Sequence, residues 1–177
     1  RGLGDVYKRQ GITTSPISGK KVKKDTPLDV YNFLNQKKDD TKYFISFPKK
    51  LDKENYKRDL EVLLSKGFTR VILENEFYTI ESLLNSKKKT SQINVVIDRG
   101  IIVRNDEDFR FKVIDVCKEA FFEGSGTIYV NVLNEKVMFS NLFELDGMKF
   151  IEPSVNLFSS NNPYGACKVC GGFGDVL

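Results

Sequence analysis

The residues best suited by type and spacing to do chemistry are Cys167 and Cys170, in the run CKVCGGFG that spans residues 167–174. Thiolates separated by two residues can grip one tetrahedral zinc, and the glycines let the backbone wrap the sulfurs with its amides turned inward. A structural zinc needs four protein ligands. The one other cysteine, Cys117, falls on the apolar stripe of a predicted helix, where a free cysteine packs as a small hydrophobe. The knuckle therefore has three readings: zinc completed by ligands outside the chain, a metal-free turn, or a redox dithiol. A thioredoxin-type CxxC opens a helix after a strand, whereas this one lies between turns, which disfavours the redox reading.

The rest of the composition mostly excludes. With 177 residues and no histidine, Ser-His-Asp and Cys-His nucleophile activation, HExxH zinc hydrolysis and Cys2His2 fingers have no imidazole to work with. Neither GxxxxGK[ST] nor GxGxxG occurs, so the segment has no phosphate loop of its own. Carboxylate pairs such as Asp39 with Asp40 and Glu119 with Glu123 read as solvated faces, as do the lysines at 20–24 and 87–89, which no aromatics interleave. The expectation is a chain that is not itself an enzyme. No apolar run nears the roughly 18 residues needed to span a bilayer, and the 3 cysteines read as reduced thiols of a cytoplasmic protein. The formal charge is +4, of which residues 1–10 (Arg1, Lys8 and Arg9 against Asp5) carry +2. Those ten residues read as a non-native read-through, and the remainder is too near neutral to argue for DNA by charge. Without an initiator methionine, and stopping within a glycine-rich turn, the sequence reads as truncated at both ends.

The elements that must position these groups are legible in the middle of the chain. Thr26, Pro27 and Asp29 make a capping box with proline at the first helical position, and Leu28, Tyr31 and Leu34 fall on one face behind it. Residues 42–47 predict a strand. Asp52 is placed to cap a helix carrying Tyr56, Leu60, Leu63 and Leu64, which Gly67 ends. Residues 68–73 predict a second strand that turns at 74–76 and returns through Phe77 to Ile80, followed by a polar loop. The longest strand signal spans 93–103. Asn105 or Asp106 caps a helix whose stripe is Phe109, Val113, Val116, Cys117, Ala120 and Phe121, stopped by Gly124. Residues 128–132 and 136–139 pair about Asn134-Glu135. The expected class is α+β, a mostly antiparallel sheet with packed helices, followed by a glycine-rich, zinc-knuckle-like loop region. The turn-rich stretch from about Phe150 cannot bury a core of its own and needs a metal, a partner or a neighbouring domain to hold it.

The run EPSVNLFSSNNPYGACKVCGGFG at 152–174 resembles a block of the UvrA family, the damage-sensing component of the ABC excinuclease in bacterial nucleotide excision repair. Upstream, GFTRV at 67–71, INVVIDR at 93–99, VIDVCKEAFFEG at 113–124, SPISG at 15–19 and DTP at 25–27 resemble further family segments in the same order, so the likeness covers residues 11–177. The resemblance implies a lead-in segment at 11–25, a UvrB-binding domain at 26–140, and the start of a signature domain with a degenerate zinc module at 141–177. It implies a protein-protein module that docks UvrB inside an ABC-type ATPase binding damaged DNA, the parent a homodimer in the cytoplasm. The motor's ATP and Mg²⁺ sites would lie outside this chain.

The family docks its partner through exposed polar groups of this module, and its two strand arginines map onto Arg70 and Arg99. A guanidinium suits that task because its planar fork makes paired, charge-assisted bonds to carboxylates. An intramolecular salt bridge on the sheet surface is the alternative use of either side chain. The family's usual zinc companions to Cys167 and Cys170 are replaced here, by Leu145 and Met148 at one CPxC position and by Ser15 and Ser18 at another, so an incomplete zinc site is expected. Two other readings compete: a DnaJ-like zinc chaperone module, for which CxxCxGxG is one repeat of the four required, and a stand-alone DNA-binding module built on the lysine loops.

Overall fold

Thr26 starts the first helix as its sequence requires. Its Oγ accepts the Asp29 amide at 3.3 Å while the Asp29 carboxylate accepts the Thr26 amide at 2.8 Å, closing both ends of the capping box. The helix α1, Pro27–Asn35, buries Val30, Tyr31 and Leu34. Leu28, expected on that face, is 42% exposed. The seam runs through Val30 instead and leaves Leu28 at its edge.

The computed structural model describes residues 13–74, 76–86, 90–145 and 148–150. Their contacts divide into a unit of Lys24–Leu142 and a smaller one from the two ends of the chain. Among the described residues no helix is long and apolar enough to cross a membrane. The larger unit runs α1, β1 (Lys42–Lys50), α2 (Tyr56–Ser65), β2 (Arg70–Leu73), β3 (Glu76–Thr79), α3 (Ile80–Asn85), β4 (Gln92–Ile101), α4 (Glu107–Glu123), β5 (Thr127–Val132) and β6 (Glu135–Ser140). Its strands form one antiparallel sheet in the order β3-β2-β4-β1-β5-β6. The expected α+β class with a mostly antiparallel sheet is what the chain adopts.

Asp52 does not cap α2. The N-cap position falls to Asn55, which makes no capping bond, and the Asp52 carboxylate instead accepts from the Glu54 amide and the Asn55 carboxamide, closing a turn before the helix. Gly67, at φ +90°, does end α2: its amide reaches the Leu64 carbonyl and that of Phe68 reaches Leu63, the left-handed helix stop in which glycine has no side chain to clash. After Ile80 the expected polar loop begins instead as α3, which Thr79 caps by accepting the Ser82 amide at 3.1 Å. Asp106 caps α4 as expected, accepting the Phe109 amide at 2.6 Å.

Helices and sheet share one core. Val30, Leu34, Leu60, Leu63, Val113, Cys117 and Phe121 from the helices meet Tyr43, Ile45, Phe47, Val71, Val95, Val130 and Val132 from the strands. Because side chains alternate along a strand, that single set of parities places every helix against one side of the sheet. The residues of opposite parity form a second face, open in that none of the described helices covers it.

One irregularity decides which residues reach that open face. Opposite β1, Ile45 pairs with Asp98 but Ser46 pairs with Val96, so β4 carries one extra residue, Ile97, as a β-bulge. Val95 and Asp98 therefore lie on the helix side, while Val96 and Arg99 both lie on the open side. In an unbroken strand Val96 and Arg99, three apart, would point in opposite directions.

In the smaller unit, β7 (Glu144–Leu145) and β8 (Met148–Lys149) form a two-stranded hairpin. A separate bridge joins Thr14 to Lys21 around a turn in which the Ser15 hydroxyl accepts the amides of Ile17 and Ser18.

Candidate functional site

The open face of the sheet gathers the groups able to recognise something. Cross-strand partners share a face, so the pairs Arg70 with Val96, Ile72 with Asn94, Ile72 with Phe77, Phe44 with Arg99, Phe44 with Asn131 and Lys136 with Asn131 all lie on it. Lys42, two residues from Phe44, joins them. The six strands contain three carboxylates, Glu76, Asp98 and Glu135, and all three have the opposite parity. Charge is therefore sorted across the sheet. Lys42, Arg70, Arg99 and Lys136 stand on one side, and the strand carboxylates stand on the other.

Each helix-side carboxylate is engaged there. Glu76 accepts a hydrogen bond from the Tyr78 hydroxyl at 2.7 Å, and Glu135 pairs with Lys37. Asp98 accepts a hydrogen bond from the Tyr43 hydroxyl at 2.7 Å and an ion pair from Lys112 on α4 at 3.0 Å. Burial, and then the Asp98 carboxylate beside it, hold the Tyr43 phenol well above its ordinary range, so it stays a donor. These bonds fasten Asp98 under the bulge. Arg99, the next residue, is thereby turned outward.

Arg70 and Arg99 border the same recess, of about 200 Å³, with Thr69, Val96, Ile97 and Asp98 completing its lining. Among the described residues neither guanidinium has an ion pair or hydrogen-bond partner. Beyond Arg99 a cavity of about 520 Å³ is lined by Phe44, Phe77, Arg99 and Ile101. Phe44 and Phe77 meet edge to face, centroids 5.3 Å apart, and Phe77 and Ile101 are 59% and 50% exposed. Two unpaired forks beside exposed aromatic surface suit an acidic protein surface: carboxylates for the arginines, apolar side chains for the phenylalanines.

The chemistry-bearing residues singled out from sequence fare differently. Cys117 is fully buried in the core, and its thiol is pushed up to about 12 by burial and by Asp98, so it is an inert hydrophobe. Cys167, Cys170 and lysines 87–89 lie outside the described residues. At the positions where a zinc-binding relative would carry cysteines, Leu145 and Met148 form the cross-strand pair of the β7–β8 hairpin, and Ser15 spends its hydroxyl on backbone amides. Neither position supplies a thiolate, and among the described residues no group of three or more His, Cys, Asp or Glu side chains could hold a metal. The donor set there does not fit zinc. Sequence reading missed Phe44, Phe77, Asn94, Asn131 and Lys136. Strand alternation alone would have grouped Phe44, Asn131 and Lys136, but the sharing of a face by Arg70 and Arg99 depends on a bulge that no residue type announces.

Comparison with known proteins bears on this geometry. Residues 26–134 match the family model described as the UvrA interaction domain. The UvrABC system protein A of Agrobacterium fabrum is 31% identical over 193 residues, covering 96% of this chain and 20% of that protein. That of Rhizobium meliloti is 29% identical, with the same coverage, and that of Methanothermobacter thermautotrophicus is 28% identical over 180 residues, covering 97% and 19%. The chain thus spans about a fifth of the length of the curated relatives it matches. With the matched region taking in every strand of the six-stranded sheet except β6, the chain belongs to the UvrA interaction domain family.

Proposed function

We propose that the Lys24–Leu142 unit is a docking module that recruits UvrB to a UvrA-type damage sensor of nucleotide excision repair, with the open face of the sheet as the contact surface. The observation that carries this reading is the placement of Arg70 and Arg99 on one face of the sheet, around one recess, with no ion-pair or hydrogen-bond partner among the described residues. Guanidinium groups with no partner among the described residues break no internal pair on binding and gain paired bonds to carboxylates. The module has no reaction to perform. In this reading ATP and Mg²⁺ turnover, damaged-DNA binding and homodimer formation belong to other parts of the larger protein, and the partnership places it in the cytoplasm.

The test is calorimetric titration of the chain with its cognate UvrB. Binding at micromolar concentration or tighter is expected, and truncating either arginine to alanine should cost about 2 kcal/mol, roughly 30-fold in affinity. Charge reversal at both positions should abolish binding. Full affinity in the reversed variant, or no binding by the wild type, overturns the reading. Steeply salt-dependent retention of the chain on duplex DNA, lost on the same reversals, would replace it with a nucleic-acid reading.

A further inference from the structure

The cavity of about 520 Å³ beside Arg99 differs in chemistry from the recess that the two arginines share. Phe44, Phe77 and Ile101 line it together with two cations, Lys42 and Arg99, and no carboxylate belongs to its lining. Neither cation has an ion-pair or hydrogen-bond partner among the described residues. Lys42 is the cross-strand partner of Ile101, and Arg99 that of Phe44, so along β1 and β4 each cation stands directly beside an apolar side chain. Phe77 comes from the edge strand β3, with β2 and β4 between it and β1, yet its ring meets that of Phe44 edge to face. The two side chains therefore lean together over the intervening strands. Phe77 and Ile101 keep half or more of their surface in solvent. Single apolar residues on a surface need no explanation, but apolar side chains gathered in a concavity and bordered by charge have the anatomy of an interface core within a polar rim.

We propose that this cavity seats one bulky apolar side chain of the protein partner, carried on a segment with carboxylates on its flanks. The inference rests on the docking reading above and adds an apolar anchor to the arginine contacts. The lining selects that occupant. A cationic side chain would meet Lys42 and Arg99 with no carboxylate in the lining to offset them. A small polar group would give up its water to the hydrocarbon of Phe44, Phe77 and Ile101. An apolar side chain gains by the same exchange, and by excluding water it strengthens the charge-assisted bonds made at the rim. Carboxylates on either side of the anchor fall to Lys42 and Arg99. Arg99 borders both this cavity and the recess it shares with Arg70, so anchor and arginine contacts form one continuous surface.

Because Phe77 and Ile101 are exposed in the free chain, their replacement separates a binding role from a structural one. The double substitution Phe77→Thr with Ile101→Thr removes the apolar surface and keeps good strand formers, so the thermal midpoint should stay close to that of the wild type. Calorimetric titration with cognate UvrB should show affinity lower by at least about tenfold and a less negative heat-capacity change of binding. Ile101→Trp keeps the surface apolar but fills the cavity, and should weaken binding by at least about tenfold as well; it decides alone where the threonine variant melts early. Wild-type affinity in either folded variant, with the Arg70 and Arg99 reversals still abolishing binding, overturns the inference and leaves the docking reading intact. An unchanged heat-capacity change in the threonine variant also overturns it, since no apolar surface would then be buried there. A single-stranded oligonucleotide that binds the wild-type chain and not Ile101→Trp overturns it too, assigning the cavity to a base. Indifference of binding to the arginine reversals would sink both proposals together.

Discussion

Asp98 faces away from the docking surface, yet the geometry makes it a determinant of both stability and binding. Tyr43 is 3% exposed and donates its only hydrogen bond to Asp98, whose side chain is 13% exposed and also meets the half-exposed Lys112. Tyr43→Phe removes one bond to a charged acceptor that keeps its second partner, and should cost about 1.5 kcal/mol. Asp98→Ala removes the same bond and strands a buried hydroxyl, so it should cost about 3 kcal/mol. Lys112→Ala loses an exposed pair and should cost under about 0.5 kcal/mol. Combining Tyr43→Phe with Asp98→Ala deletes the stranded hydroxyl, and the double variant should be no less stable than Asp98→Ala alone. The two effects then fail to add by at least about 1.5 kcal/mol. Urea denaturation at pH 7 with a common m-value measures all four. UvrB affinity should also fall in Asp98→Ala, because the bulge that turns Arg99 outward has lost its fastening. Additivity of the two single effects within about 0.5 kcal/mol, or full affinity in Asp98→Ala, would refute this reasoning.

Three further outcomes follow from the same structure. The raised phenol of Tyr43 means that the fold favours its protonated form, so that contribution is complete below about pH 10 and declines as pH rises beyond it. Urea midpoints between pH 8 and 11 should show the decline, and Tyr43→Phe should lessen it, leaving the part that the raised Cys117 thiol contributes. Gly124→Ala would place a Cβ 2.3 Å from the Thr127 carbonyl oxygen and 2.8 Å from the Phe47 Cβ; a loss of about 3 kcal/mol is expected by calorimetric melting, at the upper end of overpacking costs. The Cys117 thiol, raised from 9.0 to about 12 and buried, should resist maleimide at pH 8 until the chain unfolds, as site-resolved mass spectrometry would show.

Where one residue type had one physical outlet, the sequence was enough. Thr26 with Asp29 could only cap, Gly67 could only stop a helix, and the apolar stripe from Phe109 to Phe121 could only face a core. It failed where two outlets competed. Asp52 could serve a helix or a turn and took the turn, because the helix begins three residues later than its spacing to Leu60 suggests. Leu28 satisfied the helical period but not the seam. The short helix α3 hid in a polar stretch whose start signal is Thr79, at the end of a strand. For the candidate site, residue types at Arg70 and Arg99 were legible through family likeness, but their common direction was not.

The extra residue at Ile97 implies a counting rule for sequences of this kind. Sidedness along a strand repeats every two positions, so gaining or losing a single amino acid between Val96 and Arg99 would send the second guanidinium toward the helices, whereas a change of two would not. Aligned chains that keep the two arginines but differ here by an odd number should have moved the cationic position by one to compensate.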